Sequence, residues 1–120
     1  MNIAVIGSEF LSPTQSRTVA DILDGVFCRY ATGSPVLITR GRDGVESIAR
    51  RLASDWNWAR KLVVKPDKGR IWRITDWRDT ERQLVESCDI LYSIYDRSID
   101  YNRIADRAAR EGKKVVEFYV

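Results

Sequence analysis

The chain contains no histidine, two cysteines, three prolines and one methionine among its 120 residues. The missing histidine removes the usual general base, the commonest metal ligand, and every Ser-His or Cys-His nucleophile pair. Catalysis, if present, has to run on carboxylates, hydroxyls, lysine or tyrosine; no metal or cofactor is expected. Cys28 and Cys88 both fall at apolar positions of predicted helices, which favours buried reduced thiols over a disulfide. No apolar run approaches the roughly 18 residues of a membrane helix. The opening Met-Asn-Ile-Ala-Val-Ile-Gly lacks the basic end and long apolar centre of a signal peptide, so no membrane partner is expected and the expected location is the cytoplasm.

Hydrophobic residues (44%) and charged residues (31%) stand in the proportions of a soluble folded domain. Two cores would leave each half too small to bury enough surface, so residues 1–120 are expected to form one domain. The net charge is only +3. The basic residues are nevertheless uneven: Arg60, Lys61, Lys65, Lys68, Arg70 and Arg73 lie close together, opposed by Asp67 alone. Such a patch attracts phosphate.

Asn2–Gly7 is a continuous apolar run, as suits a strand covered on both faces. Ser12-Pro13-Thr14-Gln15 carries a cap, a proline for the first helical position and a capping-box glutamine; Val19, Ile22, Leu23, Val26, Phe27 and Tyr30 then follow at helical spacing. Val36–Thr39 reads as a second strand. Asp43 and Glu46 read as a capping pair for a helix whose stripe is Ile48, Ala49, Leu52, Ala53 and Trp56. Leu62–Val64 is a third strand, and Pro66–Gly69 a turn. Ile71–Ile74 fits either strand or loop. Thr75 or Asp76 is the expected cap of a third helix, with Trp77, Thr80, Leu84, Val85 and Cys88 on one face. Asp89–Tyr95 is a fourth strand, and a fourth helix takes in Ile99, Ile104, Ala105, Ala108 and Ala109 before Gly112. Val115–Val120 is the last strand. This alternation predicts a single Rossmann-like α/β domain: a five-stranded parallel sheet with helices on both faces. Ligands in such sheets bind beyond the carboxyl ends of the strands, where the strand order reverses. That directs attention to Gly7-Ser8-Glu9, to Thr39–Glu46 and to the residues after Tyr95.

Thr39-Arg40-Gly41-Arg42-Asp43-Gly44-Val45-Glu46 is the strongest local feature. Its glycines let backbone approach a ligand, a helix amino terminus favours an anion, and Arg40 or Arg42 can bind phosphate bidentately. The same residues also suit a tight strand-to-helix turn with a good cap. Tyr95 lies nearer the strand's carboxyl end than Tyr92, on the opposite face, and is the better platform for a base. Asp96 and Asp100 offer a carboxylate pair for acid–base work on an N-glycosidic bond, or ordinary caps and turn residues. Trp56, Trp58, Trp72 and Trp77 cluster around the basic stretch, where they suit core and oligomer contacts or base stacking along nucleic acid.

The Ile6-Gly7-Ser8 opening, the Gly41–Glu46 element, the helix end Glu86-Ser87-Cys88-Asp89 and the closing Ala-Arg-Glu-Gly-Lys-Lys-Val resemble the SLOG superfamily. This group joins DprA, the lonely-guy cytokinin-activating enzymes and the small YspA- and YpsA-like proteins, the last being nearest in length and element order. The resemblance implies a fold that binds nucleotides or nucleotide-derived signals, with Gly7, Ser8, Gly41, Gly44 and Glu46 at pocket positions and Glu46 accepting from ribose hydroxyls. Lonely-guy enzymes carry a Pro-Gly-Gly-x-Gly-Thr-x-x-Glu loop after the fourth strand; here Tyr95–Asn102 has no such glycines, which argues against phosphoribohydrolase activity. Where YspA-like relatives start the third helix with Arg-Asn, this chain has Thr80-Glu81-Arg82, with Arg78 or Arg82 as substitutes.

The favoured expectation is therefore a sensor, carrier or sequestering protein for a nucleotide-derived small molecule, held by Gly7, Ser8, Glu9, Arg40, Gly41, Arg42, Gly44, Glu46, Tyr95 and Asp96. The alternatives are an N-glycosidase or deoxyribosyltransferase-like enzyme using Glu9, Asp96 or Asp100, and a nucleic-acid-binding module working through residues 56–77. A homo-oligomer is also expected.

Overall fold

The computed structural model describes residues 1–58, 60–64, 74–99 and 102–120; the side chains of 60, 62 and 74–77 lie outside that description. Expectations placed on the 66–69 turn, on 71–73, on Trp72, on the Trp77 side chain and on Asp100 fall outside it too.

The elements are β1 (Asn2–Gly7), α1 (Pro13–Arg29), β2 (Val36–Thr39), α2 (Val45–Asp55), β3 (Arg60–Val63), α3 (Ile74–Ser87), β4 (Ile90–Tyr95), α4 (Arg103–Arg110) and β5 (Lys114–Tyr119). The sheet runs β3-β2-β1-β4-β5 and every ladder is parallel. Odd-numbered β1 residues Ile3 and Val5 pack with Val19, Leu23 and Phe27 of α1 and Ala49 and Ala53 of α2. Even-numbered Ala4 and Ile6 pack with Leu84 and Val85 of α3 and Ile104, Ala105 and Ala108 of α4. The two-residue period of a strand thus feeds two cores, which is why Ile3–Ile6 of β1 and Val36–Ile38 of β2 are uninterrupted apolar runs.

The α1 start is as the sequence predicts: Ser12 Oγ accepts from the Gln15 amide (3.1 Å) and Gln15 Oε1 accepts from the Ser12 amide (2.9 Å), with Pro13 following. Five readings need correction. The N-cap of α2 is Gly44, with no side-chain cap bond, because the Glu46 carboxylate turns to Arg40 instead of back to the cap. The helix α4 begins at Arg103, since Asn102 Oδ1 accepts from the Ile104 and Ala105 amides; Ile99 is left on the loop, 38% exposed. β3 spans Arg60–Val63 in register with Val36–Thr39, and α3 starts at Ile74, which puts Thr75 and Asp76 inside the helix rather than at its cap. Cys28 is exposed; Cys88 is buried, and both are free thiols.

Two tryptophans have structural work. Trp58 is buried, with its ring centroid 4.6 Å from that of Phe27. Half-buried Trp56 packs on the same core and donates through Nε1 to Asp24 (2.8 Å).

Candidate functional site

The helices change faces between β1 and β4: α1 and α2 cover one side, α3 and α4 the other. A crevice is the geometric consequence, because the loops leaving the two strands diverge. At the carboxyl ends of β1, β2 and β4 lies a groove of about 430 Å³, lined among others by Ser8, Glu9, Phe10, Arg42, Tyr95 and Asp96. It continues past Arg40, Arg42, Tyr95 and Ile99 into a second cavity of about 380 Å³ that reaches Asn102 and Arg103.

Of the residues singled out in the sequence, Gly7, Ser8, Glu9, Arg40, Arg42, Tyr95 and Asp96 all line the first groove. Several of them, however, are engaged in building it. A Cβ on Gly7 would lie 2.2 Å from the Ile94 carbonyl oxygen and 2.5 Å from Val45 Cβ, so this glycine permits strand, strand and helix to meet. Ser8 ties three elements together: its N–H donates to Ile94 O (3.2 Å), its carbonyl accepts from the Val45 amide (3.1 Å), and its Oγ accepts from the Asp96 amide (2.9 Å). The start of α2 is therefore covered by the β1–α1 loop. Gly44 has φ +71°, and a Cβ there would sit 2.1 Å from Ser8 O. Gly41 also has a positive φ of 79°, consistent with a tight turn.

Glu46 is fully buried and Arg40 nearly so. Both Arg40 Nε (3.0 Å) and Nη2 (2.7 Å) donate to Glu46 Oε2, and the Arg40 amide donates to Oε1. Tyr95 lines the same groove wall as Arg40. Burial alone would lower the Arg40 pKa; the facing Glu46 carboxylate more than compensates and holds it above its ordinary value. Burial raises the Tyr95 phenol, against the opposing pull of Arg40. Glu46 thus has its carboxylate spent on the groove's floor, and its expected approach to ribose hydroxyls has no support in this arrangement.

Arg42 is different, because it stands at the rim: its Nη1 donates to Glu9 Oε1 (2.9 Å), with both side chains about one-third exposed. Asp96 accepts from the Ser98 amide (2.9 Å) and from Gln15 Nε2 (2.7 Å), and these bonds hold its carboxyl below the usual range, the Ser98 amide contributing most. An ionised, doubly bonded carboxylate is a turn-former rather than a proton donor. Tyr92 and Tyr95 do face opposite sides: Tyr92 packs in the α1–α2 core with its hydroxyl 3.0 Å from that of Tyr30, and Tyr95 against the α3–α4 core.

Sequence reading missed Phe10, 87% exposed at the groove's mouth, and the pair Glu81–Arg103, whose carboxylate is buried and bidentate with the guanidinium (2.6 and 3.0 Å). An aromatic directly after Gly-Ser-Glu was a readable signal. The pairing of residues 22 positions apart on two helices was not. Among the described residues no group of three or more Cys, Asp or Glu is placed to hold a metal ion, and no helix is long and apolar enough to cross a membrane.

No protein-family model matches the chain, and no curated protein matches it. Solved structures do. The fold is similar to that of DNA processing protein A from Helicobacter pylori, described for its single-stranded DNA binding mode, with a TM-score of 0.72 and 13% identity. The match covers 98% of this chain and 64% of that one, so this chain spans less than two thirds of its neighbour. It is likewise similar to the structural-genomics target TM1055, with a TM-score of 0.68 and 19% identity over 95% of this chain and 71% of that one. At these identities the shared property is the fold: an α/β, Rossmann-like domain of the kind found in DNA processing protein A.

Proposed function

We propose that the chain binds a nucleotide-derived small molecule at the carboxyl ends of β1, β2 and β4, acting in the cytoplasm as a sensor, carrier or sequestering protein. Membership of the SLOG superfamily, near the YspA-like proteins, is part of the same proposal. The observation that carries it is the groove of about 430 Å³ at the sheet's switch point, with Arg42 on one rim and the unpacked Phe10 ring on another. Its volume falls in the range of small-molecule sites, roughly 300–1,000 Å³. A phosphate displacing Glu9 from Arg42 gives up an ion pair about one-third exposed, worth about 0–1 kcal/mol, and gains a bidentate charge-assisted contact. Phe10 offers a face for a base.

Thermal melts with AMP, ADP, cyclic AMP and ADP-ribose test this reading. A ligand at a hundred times its dissociation constant stabilises the fold by about 2.7 kcal/mol, and the shift should be lost in Arg42→Ala and reduced in Phe10→Ala. A panel that leaves the melt unmoved, or shifts parent and Arg42→Ala alike, refutes it. Gly44→Val is unsuitable as a ligand test, because its side chain would collide with the Ser8 and Glu9 backbone whether or not a ligand binds. The glycosidase alternative loses support from the engaged state of Asp96, and release of free base from a nucleoside monophosphate would restore it.

A further inference from the structure

Beyond the second cavity the groove does not stop. Glu81, Arg103 and Ile104 line both that cavity and a third one, about 430 Å³, between α3 and α4. Four arginines, Arg78, Arg103, Arg107 and Arg110, stand around this third cavity against two glutamates, Glu81 and Glu111. The second cavity thus adjoins both of the others, sharing Arg40 and Arg42 with the first and Arg103 with the third.

The charges differ in how firmly they are held. Glu81 is buried and grips Arg103 with both oxygens, fixing that guanidinium at the junction of the two cavities. Among the described residues, Arg107 and Arg110 pair with carboxylates of their own helix in partly or well exposed contacts, to Glu111 at 3.6 Å and to Asp106 at 3.2 Å. Such pairs contribute little, so an incoming phosphate displaces them at small cost. Arg78 is exposed on α3 and, among the described residues, makes no ion pair.

We infer that the α3–α4 groove is a second anion subsite, which holds a further phosphate of an elongated nucleotide-derived ligand on Arg78, Arg107 and Arg110. The inference rests on the reading that the carboxyl-end groove holds the first phosphate. It adds that the ligand class is phosphodiester-linked and longer than a mononucleotide, because the arginines of the third cavity are absent from the lining of the first and a single phosphate cannot occupy both.

Titration calorimetry with AMP and with the 5′-phosphorylated dinucleotide pApA, at several salt concentrations, tests it. The expected result is that pApA binds about tenfold more tightly than AMP, with a log–log salt slope steeper by about 0.7 for the added phosphate. In Arg107→Ala/Arg110→Ala the gain and the extra slope should vanish while AMP affinity stays at the parent value. A melt of that double variant checks that it remains folded; Arg78→Ala, on the other helix, is the independent second variant. Equal affinity for AMP and pApA, or a pApA gain untouched in both variants, overturns the second subsite while leaving the first. Absence of AMP and pApA binding alike overturns the second subsite, and the first as well where ADP, cyclic AMP and ADP-ribose also leave the melt unmoved.

Discussion

Replacing Gly44 by alanine should be among the most damaging single-methyl changes available to this fold. Gly44 adopts φ +71° and ψ −126°, a conformation that L-residues avoid; holding a side chain there costs about 1–3 kcal/mol. The added Cβ would also lie 2.1 Å from Ser8 O and 2.6 Å from Glu9 O. Both are backbone atoms, so no rotamer change relieves the contact, and forced overpacking adds about 1–3 kcal/mol. The combined loss is about 4 kcal/mol, a large share of the roughly 5–15 kcal/mol that a domain possesses. In urea, with a slope of about 1.5 kcal/mol/M for a chain of this size, the midpoint should fall by about 2–3 M. The matched control is Gly25→Ala on α1, where a Cβ meets nothing within 4 Å. There alanine should raise stability by about 0.5–1 kcal/mol, since glycine is the poorer helix former. Chemical denaturation followed by circular dichroism reads both variants. A Gly44→Ala midpoint within about 0.3 M of the parent, at an unchanged slope, would refute the claim that the β1–α1 loop is welded to the start of α2.

Three further outcomes follow from the same contacts. Glu46→Gln leaves Arg40 buried without its counter-charge and should cost about 3–5 kcal/mol in denaturant midpoint; normal stability with lost nucleotide binding would instead return Glu46 to a ligand role. Asp96 has a folded-state pKa below its ordinary 3.8, so its ionised form stabilises the fold above that value and the contribution disappears as pH falls through the lower folded value. Stability differences between parent and Asp96→Asn should accordingly be constant near neutrality and shrink below the ordinary carboxyl range; a difference that grows on acidification contradicts the assignment. Trp58→Ala should cost about 3–5 kcal/mol for loss of its core contact with Phe27, whereas Trp56→Phe should cost about 1 kcal/mol for the Asp24 bond, both read from thermal melts. Equal, negligible effects would move both rings out of the structural role described above and back toward base stacking.

The alternation of elements was legible in the sequence because both-face burial leaves strands such as Ala4–Ile6 uninterrupted by polar residues, and because the Ser12–Gln15 capping box acts locally. The carboxyl-end location of the groove was legible for a similar reason: it follows from topology, and the side chains after β1, β2 and β4 are close in any sheet of this order. Glu46 was misread since Asp43-x-x-Glu46 satisfies a local pattern, while the partner that wins, Arg40, stabilises a charge removed from water. Asp96 was only half legible: its bond from the Ser98 amide is the local turn contact the sequence allows, while its second partner, Gln15, lies 81 positions away. Exposed Cys28 shows the limit of helical stripes, which place a residue near a face boundary without saying which side of it is covered. Arg78 was singled out only as a stand-in for a family pair, and Arg103, Arg107 and Arg110 of α4 offered no motif, because a groove between two helices is a property of their packing.

Ser8 fastens the groove's floor at one end of the β1–α1 loop, and the Ser12–Gln15 box fastens the other, leaving three residues, Glu9, Phe10 and Leu11, between two fixed posts. A tether that short has kinetic meaning for the proposed binding: the segment free to move over a ligand would be Phe10 and its neighbours, on the nanosecond-to-microsecond scale of loops rather than the slower scale of domain hinges. Association should then track ligand concentration linearly in stopped-flow fluorescence, without the plateau that a slow gate imposes. For a protein that senses or buffers a small molecule, its response would be set by encounter and escape, with no conformational clock of its own.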